Sequence, residues 1–211
     1  MSEATYVVVR GDFSIEDPWA IPPGAATVAL RKSTDGTAPR LSTKVAAYFD
    51  DDYLNVVFSA NDDHIVATMY GHDEPLYEED VVEIFLAPRD RHEYFEIEVS
   101  PAGTTFDARI ESPDFSRETM RTDLGWDCDG LIAALRKMTD GTSITIDTLL
   151  RIPFACFETT APKDGEMWSV NFFRVDRHPQ RGDEYSAWSP TMKQPADFHV
   201  PRAFGRLLFR Q

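Results

Sequence analysis

The sequence has few cysteines and no long apolar run. Cys128 and Cys156 are its two cysteines, too few for a disulfide framework and without zinc-ligand spacing, although a single bridge between them stays open. No stretch reaches the length that a membrane-spanning helix needs, and Met1 to Arg10 lacks the basic start and apolar run of a signal peptide. We therefore expect no membrane insertion, and an extracellular or periplasmic protein if a signal peptide has been removed, otherwise a cytoplasmic one.

Positive charge is also scarce. The chain has 21 Lys and Arg residues against 36 Asp and Glu residues, a formal net charge of -15. Such a surface repels phosphate backbones and anionic lipid, so nucleic acid is not expected as a partner. An acidic chain suits neutral ligands, and its carboxylates are the oxygen ligands that calcium prefers.

Helical periodicity is weak, whereas strand alternation is frequent. Between Tyr94 and Ser100, residues Phe95, Ile97 and Val99 share one face, and Tyr94 shares the other with two glutamates. Further strands are predicted at Lys44–Phe49, Leu54–Ala60, Asp80–Ala87, Thr104–Ile110, Ser143–Leu150, Trp168–Val175 and Gly205–Phe209. The best helical candidates are Gly130–Lys137 and a short turn at Pro153–Phe157.

Short strands with regular turns predict the fold class. We expect an all-β protein, a two-sheet antiparallel β-sandwich with jelly-roll or immunoglobulin-like layering and few short helices, as one domain over residues 1–211. The proline-rich segment Asp176–Pro201 is interpreted as a long ordered loop, and such loops often have functional roles.

Motifs for catalysis are missing. The sequence contains no nucleophile elbow, zinc-protease helix or phosphate-binding glycine loop, and its five histidines are scattered. Glu83, Glu96 and Glu98 could supply the carboxylates of a glycosidase, but acidic side chains on the outward face of a strand are usually only solvated polar residues. We therefore predict a protein that is not an enzyme.

Two aromatic residues lie where a core role is hard to justify. Tyr77 and Trp188 both stand in polar, turn-rich segments, at 74–80 and 184–190. Flat aromatic rings beside polar side chains are typical of sites that bind the apolar faces of sugar rings. Burial against the sheet is the alternative for each ring.

Several segments form an ordered set of motifs along the chain: Asp80–Pro88, Glu93–Gly103, Phe106–Arg109, Ile152–Phe154, Trp168–Arg174, Glu184–Pro190, His199–Pro201 and Phe204-Gly205. In this order they resemble the family 9 carbohydrate-binding modules, within the broader DOMON-like group, and the resemblance extends from about Ala46 to the C-terminus.

The resemblance implies a module that binds a mono- or oligosaccharide without cleaving it. By motif position, the sugar would lie between Tyr77 and Trp188, with Glu83 accepting hydrogen bonds from its hydroxyls and Arg109 and Asn171 as further polar partners. Tyr77 departs from the tryptophan typical of binders in the family, although a tyrosine ring can still stack.

The resemblance also implies structural calcium and no organic cofactor. Asp50, Asp52, Asp62 and Asp63 are the candidate ligands, in two acidic turns. Two alternatives stay open: a haem-binding electron-transfer domain of the DOMON-like type, with Met69, Met192 or a histidine as iron ligand, and a protein-interaction sandwich whose sugar site has decayed.

Overall fold

The structure, a computed structural model, describes residues 3–211 and is almost entirely β. Its strands are β1 Thr5–Arg10, β2 Thr27–Ala29, β3 Arg31–Lys32, β4 Thr43–Phe49, β5 Tyr53–Asp62, β6 Val81–Ala87, β7 Glu93–Val99, β8 Thr105–Glu111, β9 Arg121–Asp123, β10 Ile132–Asp140, β11 Ser143–Pro153, β12 Met167–Asp176, β13 Glu184–Ala187 and β14 Gly205–Arg210. Among these residues, helical structure is limited to 3₁₀ turns at Leu76–Glu78, Phe154–Phe157 and Pro201–Ala203. Nowhere in this range does a helix have the length and apolar character to span a membrane.

The predicted fold class is confirmed, and its sandwich is one sheet curled on itself. The strand order along the sheet is β10-β11-β5-β4-β1-β14-β12-β6-β7-β8-β9. Four strand spacings separate β5 from β12, about 19 Å if the sheet were flat. The rings of Phe58 on β5 and Phe172 on β12 are nevertheless 6.1 Å apart, because the two halves of the sheet face each other across the principal core.

Not every strand pair is antiparallel, which corrects one part of the prediction. β1 runs parallel to both β14 and β4. Parallel strands need a long crossover connection, usually a helix, but β1 and β14 lie at opposite ends of the chain. The whole domain therefore serves as their connection.

Residues 132–137 belong to a strand, so the helix predicted at Gly130–Lys137 is wrong. Ile132–Asp140 is β10, paired in antiparallel register with β11 from Ile132–Arg151 to Asp140–Ser143. The segment contains good helix formers, but its helix propensity is weak overall. The continuous row of hydrogen bonds that it forms with the edge of β11 therefore decides its conformation. The short turn predicted at Pro153–Phe157 is confirmed as a 3₁₀ turn.

A second, smaller core covers the outer face of β6, β7, β8 and β12. Phe85, Tyr94, Phe106 and Phe173 point away from the principal core and pack under the segment that follows β12. That segment, predicted as an ordered loop, also contains the short strand β13 and contributes Phe198 and Phe204 to this core. One half of the sheet is therefore buried on both faces.

The two cysteines lie together as free thiols. The Sγ atoms of Cys128 and Cys156 are 3.0 Å apart, the first in the turn before β10 and the second in the 3₁₀ turn after β11. The bridge left open by the sequence is thus not formed in this structure.

Candidate functional site

A cavity of about 500 Å³ opens on the outer face of β6, β7 and β8, beside the second core. Its lining combines aromatic side chains with acidic and basic ones: Tyr77, Glu83, Phe85, Glu96, Phe106, Arg117, Arg177, Tyr185, Phe198 and His199 are among the residues that line it. An apolar cavity with a few convergent polar groups is the usual form of a small-molecule site.

Three glutamates lie together at the floor of this cavity. Glu83 on β6 is directly opposite Glu98 on β7, and Glu96 is two residues before Glu98 on the same face. All three side chains are buried, and one carboxylate oxygen from each lies within 4.8 Å of the others. The sequence predicted solvated acids here; this is wrong, because the segment after β12 covers the face on which they lie.

Burial controls the ionisation of these glutamates. It raises the pKa of Glu96 to about 7, and it raises the pKa values of Glu83 and Glu98 well above the ordinary range, with the neighbouring carboxylates adding to the effect. Oε1 of Glu83 is buried without a hydrogen-bond partner among the described residues, whereas the carboxyl of Glu98 contacts the carboxyl of Glu96 and the backbone N–H of Tyr77.

Aromatic rings form the walls of the cavity. Tyr77 is 46% exposed, and its ring lies edge-on to Phe106 at 5.9 Å, which fixes its orientation. Phe198 stacks on Phe173 at 4.2 Å and is contacted edge-on by Tyr185 at 5.9 Å. The sequence analysis missed Phe198, although this ring stands between Asp197 and His199, the same polar context that singled out Tyr77.

Basic side chains at the rim are held by neighbours. The guanidinium of Arg177 donates to the backbone oxygen of Tyr77 at 2.6 Å, to the hydroxyl of Tyr185 and to Asp183, while its Nε is buried without a partner in the part of the chain that the structure describes. Arg117 lies 3.6 Å from Asp197.

His199 completes the rim and is held neutral. Its Nδ1 lies 2.8 Å from the hydroxyl of Tyr94, and its Nε2 lies 3.7 Å from Glu96. Burial, with a contribution from the positive charge of Arg117, lowers the pKa of His199 to about 3.

Trp188 does not line this cavity, so the predicted pairing of Tyr77 with Trp188 around one sugar is corrected. Trp188 packs against the principal core, with its ring 6.3 Å from Tyr6 and 5.8 Å from Phe172. Phe172 and Phe173 alternate across β12, so the core that Trp188 contacts and the cavity lie on opposite faces of the sheet. The exposed part of Trp188 borders a separate groove with Leu30.

Arg109 also lies away from the cavity, which corrects its predicted role beside Glu83. On β8 it alternates with Phe106 and Ala108, which share the face of the cavity. Arg109 is paired across the strands with Phe95, which faces the principal core, and its guanidinium binds Glu93. An ion pair at the sheet margin satisfies this side chain.

Asn171 lies on the same face as Glu83, but its amide is already used. Its Nδ2 donates to the backbone oxygen of Ser189 at 2.8 Å, and its Oδ1 accepts from the backbone N–H of Ser189 at 2.9 Å. Asn171 is fully buried and does not line the cavity. Its contacts fix the chain that follows β13 to β12.

The four aspartates predicted as calcium ligands do not form one site. Asp50 and Asp52 flank the turn before β5, whereas Asp62 and Asp63 follow at the other end of that ten-residue strand, about 30 Å away. Asp50 pairs with Arg151 and caps the turn, Asp62 pairs with Arg174, and Asp63 pairs with Arg181. Arginine charge and backbone donors therefore take the place of a cation, and this ligand set does not fit calcium.

Comparison with known proteins agrees with this architecture. Solved structures with the same fold include a candidate carbohydrate-binding protein from Bacteroides uniformis, at 16% identity and a TM-score of 0.74 over 99% of this chain and 100% of that one. They also include a family 9 carbohydrate-binding module from Caldicellulosiruptor kristjanssonii in complex with cellotriose, at 16% identity and a TM-score of 0.68 over 98% and 94% of the two chains. The same organism's module in complex with glucose has a TM-score of 0.66.

Sequence comparison is consistent with these structures. A protein of Arthroderma benhamiae named "Extracellular protein" is 23% identical over 201 residues, which cover 89% of this chain and 87% of that protein. The family model of carbohydrate-binding family 9 matches residues 29–209, most of the chain. The protein described above is therefore a member of carbohydrate-binding family 9.

Proposed function

We propose that the chain binds a sugar, without cleaving it, in the cavity between Tyr77 and Phe198. Family membership and the glucose and cellotriose complexes of the Caldicellulosiruptor module support this function. The cavity, about 500 Å³, is large enough for one or two sugar rings and lies within the range of small-molecule sites.

One observation supports this proposal most directly: two polar atoms that line the cavity, one on Glu83 and one on Arg177, lack hydrogen-bond partners. Oε1 of Glu83 and Nε of Arg177 are buried without hydrogen-bond partners among residues 3–211. A buried polar group without a partner costs about 1–3 kcal/mol. A sugar hydroxyl donates and accepts at once, so one ligand satisfies both groups.

The rings supply the apolar part of the site. The half-exposed face of Tyr77 is available for the C–H face of a sugar ring, and Phe198 forms the facing wall through its stack on Phe173. Phe198 thus replaces Trp188 in the pairing that the sequence suggested.

The carboxylates fit binding better than hydrolysis. Catalytic pairs flank the scissile bond, with carboxyl groups about 5–5.5 Å apart in retaining and 6.5–9.5 Å apart in inverting glycosidases. Glu83, Glu96 and Glu98 instead lie side by side at the floor, with oxygens within 4.8 Å. The other carboxylate that lines the cavity, Asp197, lies 3.6 Å from the guanidinium of Arg117.

Calorimetric titration with glucose, cellotriose and a panel of other mono- and oligosaccharides tests the proposal. Tyr77→Ala is expected to weaken binding about tenfold or more, since an aromatic contact of about 1.4 kcal/mol corresponds to a factor of ten. Tyr70→Ala is the matched control, because Tyr70 belongs to the same segment, is 77% exposed and does not line the cavity.

Two results would contradict the proposal. If the wild type gives flat titrations across the panel, the chain does not bind these sugars. If sugar binding is unchanged by Tyr77→Ala, the sugar does not bind in this cavity.

A further inference from the structure

Cys128 and Cys156 belong to two turns that pack against the same aromatic ring. Cys128 lies between β9 and β10, and Cys156 lies in the 3₁₀ turn after β11. The ring of Phe95 is 4.6 Å from that of Trp126, two residues before Cys128, and 4.8 Å from that of Phe157, the residue after Cys156. Packing in the principal core therefore fixes both cysteine segments beside each other.

The two sulfur atoms are separated by little more than the length of a bond. Sγ of Cys128 lies 3.0 Å from Sγ of Cys156, whereas the sulfurs of a disulfide are about 2.03–2.05 Å apart. Small rotations of the two side chains are enough to close a gap of about 1 Å. The chain has no other cysteine, so neither thiol has a second partner for an internal bridge.

Metal binding does not account for this pair of thiols. The two clusters of possible metal ligands found in residues 3–211 consist of histidine and carboxylate side chains, and neither contains a cysteine. A structural zinc ion takes four ligands, of which the two cysteines supply only half. The arrangement of the two sulfurs therefore points to a bond between them.

We propose that Cys128 and Cys156 are the site of a covalent modification, an intramolecular disulfide that forms on oxidation and closes the sandwich. The segment that contains Cys128 crosses from β9, at one end of the sheet, to β10, at the other. The backbone N–H of Cys128 donates to Asp107 on β8 at 3.2 Å, which ties this segment to the first end. The bond to Cys156 ties the same segment to the end of β11, beside β10. The two ends of the curled sheet are thereby held together.

Oxidation begins at Cys156. Cys128 is buried, and contact with the Cys156 thiol together with burial raises the pKa of the Cys128 thiol. Cys156 is only half-buried, so an oxidant in solution reaches it first.

Glutathione disulfide is a sufficient oxidant. The thiolate of Cys156 attacks one sulfur of glutathione disulfide and expels one glutathione thiolate; the sulfur of Cys128 then attacks Sγ of Cys156 and expels the second. The two protein sulfurs lose two electrons in all, and one glutathione disulfide is reduced. The two protons of the protein thiols end on the two glutathione molecules that leave.

The bridge is expected to stabilise the folded protein. Cys128 and Cys156 are 28 positions apart, and a bond that closes a loop of this length restricts the unfolded chain. For a domain of this size, the midpoint of thermal unfolding should be roughly 7–14 °C higher in the oxidised protein than in the reduced one. Neither cysteine lines the sugar cavity, so this inference goes beyond the proposed sugar binding and does not depend on it.

The experiment is incubation of the reduced full chain with excess glutathione disulfide under native conditions. Free thiols are then counted with a chromogenic thiol reagent after denaturation, and the intact mass is measured. We expect a monomer without free thiols, lighter than the reduced chain by two hydrogen atoms, whose unfolding midpoint falls again in dithiothreitol. Two remaining thiols, glutathione that stays attached to Cys156, or a disulfide-linked dimer overturns the proposal.

Cys156→Ser is the matched variant, because it removes one sulfur at a half-buried position and leaves Cys128 in the core. Its unfolding midpoint is expected to be the same in glutathione disulfide and in dithiothreitol, which separates the effect of the bridge from that of the oxidant. Should Cys156→Ser not fold, Cys156→Ala takes its place. A shift of equal size in the variant and the wild type contradicts the proposal, as does a bridged wild type whose midpoint equals that of the reduced chain.

Discussion

Replacing Glu96 by glutamine is expected to change how the stability of the protein depends on pH. Burial raises the pKa of Glu96 from its ordinary value near 4.5 to about 7 in the folded protein. Between these two values the folded state keeps a proton that the unfolded state has lost. Stability therefore falls as pH rises through this interval and levels off above it.

The difference between the two pKa values of Glu96 sets the size of the effect. A pKa difference of one unit corresponds to 1.36 kcal/mol, so the shift of Glu96 corresponds to a loss of about 3 kcal/mol between pH 4.5 and pH 7. Glu83 and Glu98 have raised pKa values for the same reason, and ionised Glu96 disfavours their ionisation. The repulsion between these two carboxylates and ionised Glu96 therefore also lowers stability as pH rises.

His199 changes the pH dependence of stability in the opposite direction, so its contribution must be separated from that of Glu96. Because the pKa of His199 is lowered to about 3 from an ordinary value of 6.5, its contribution to stability rises with pH over that range. Arg117 and Arg177 stay charged throughout. The absolute curve of the wild type therefore mixes two slopes, whereas the difference between wild type and Glu96→Gln isolates the glutamate.

Urea unfolding, followed by tryptophan fluorescence from pH 4.5 to pH 8.5, measures this difference. The free energy of unfolding of the wild type minus that of Glu96→Gln should fall by about 3 kcal/mol as pH rises across the interval. A difference that is constant with pH, or that rises, would refute the reasoning and show that Glu96 titrates as an exposed acid.

The remaining predictions concern two residues outside the cavity. Trp188→Ala is expected to lower the free energy of unfolding by about 3 kcal/mol, because the partly buried ring packs against the principal core at Tyr6 and Phe172, and urea unfolding measures this loss. The sugar affinity of the folded variant should be unchanged, which calorimetry measures. Arg174→Met should cost about 3–5 kcal/mol in urea unfolding, since it leaves Asp62 as a buried acid without its arginine partner and leaves Asp176 with Arg40 alone, and a loss near zero would contradict this role.

The strands could be predicted because their pattern is local. The alternation at Tyr94–Ser100 placed β7 within one residue of its observed bounds, and Phe95, Ile97 and Val99 face the principal core as expected. The prediction for Gly130–Lys137 failed because the helical pattern there is weak and the conformation of the segment depends on its pairing with the edge of β11.

The site was predicted only in part because it depends on what covers each face. Tyr77 and Glu83 line the cavity, and both lie in one continuous segment of the chain. Trp188 and Arg109 were misplaced because their faces depend on the register of separate strands. Phe198 was missed because its polar context, although it is like that of Tyr77, does not by itself distinguish a ring that closes a cavity from one that packs in a loop.

The pairing of β6 with β7 brings acidic side chains together in a way that neither the composition nor the motifs of the sequence reveal. It places Glu83 directly opposite Glu98, and like charges in directly opposed positions destabilise a pair of strands. Folding alone gives no reason to place a third acid, Glu96, beside them on a buried face. Such a cluster is compatible with stability only if protons, a cation or ligand hydroxyls neutralise or satisfy it, which is why the function of this protein is best sought at these three carboxylates.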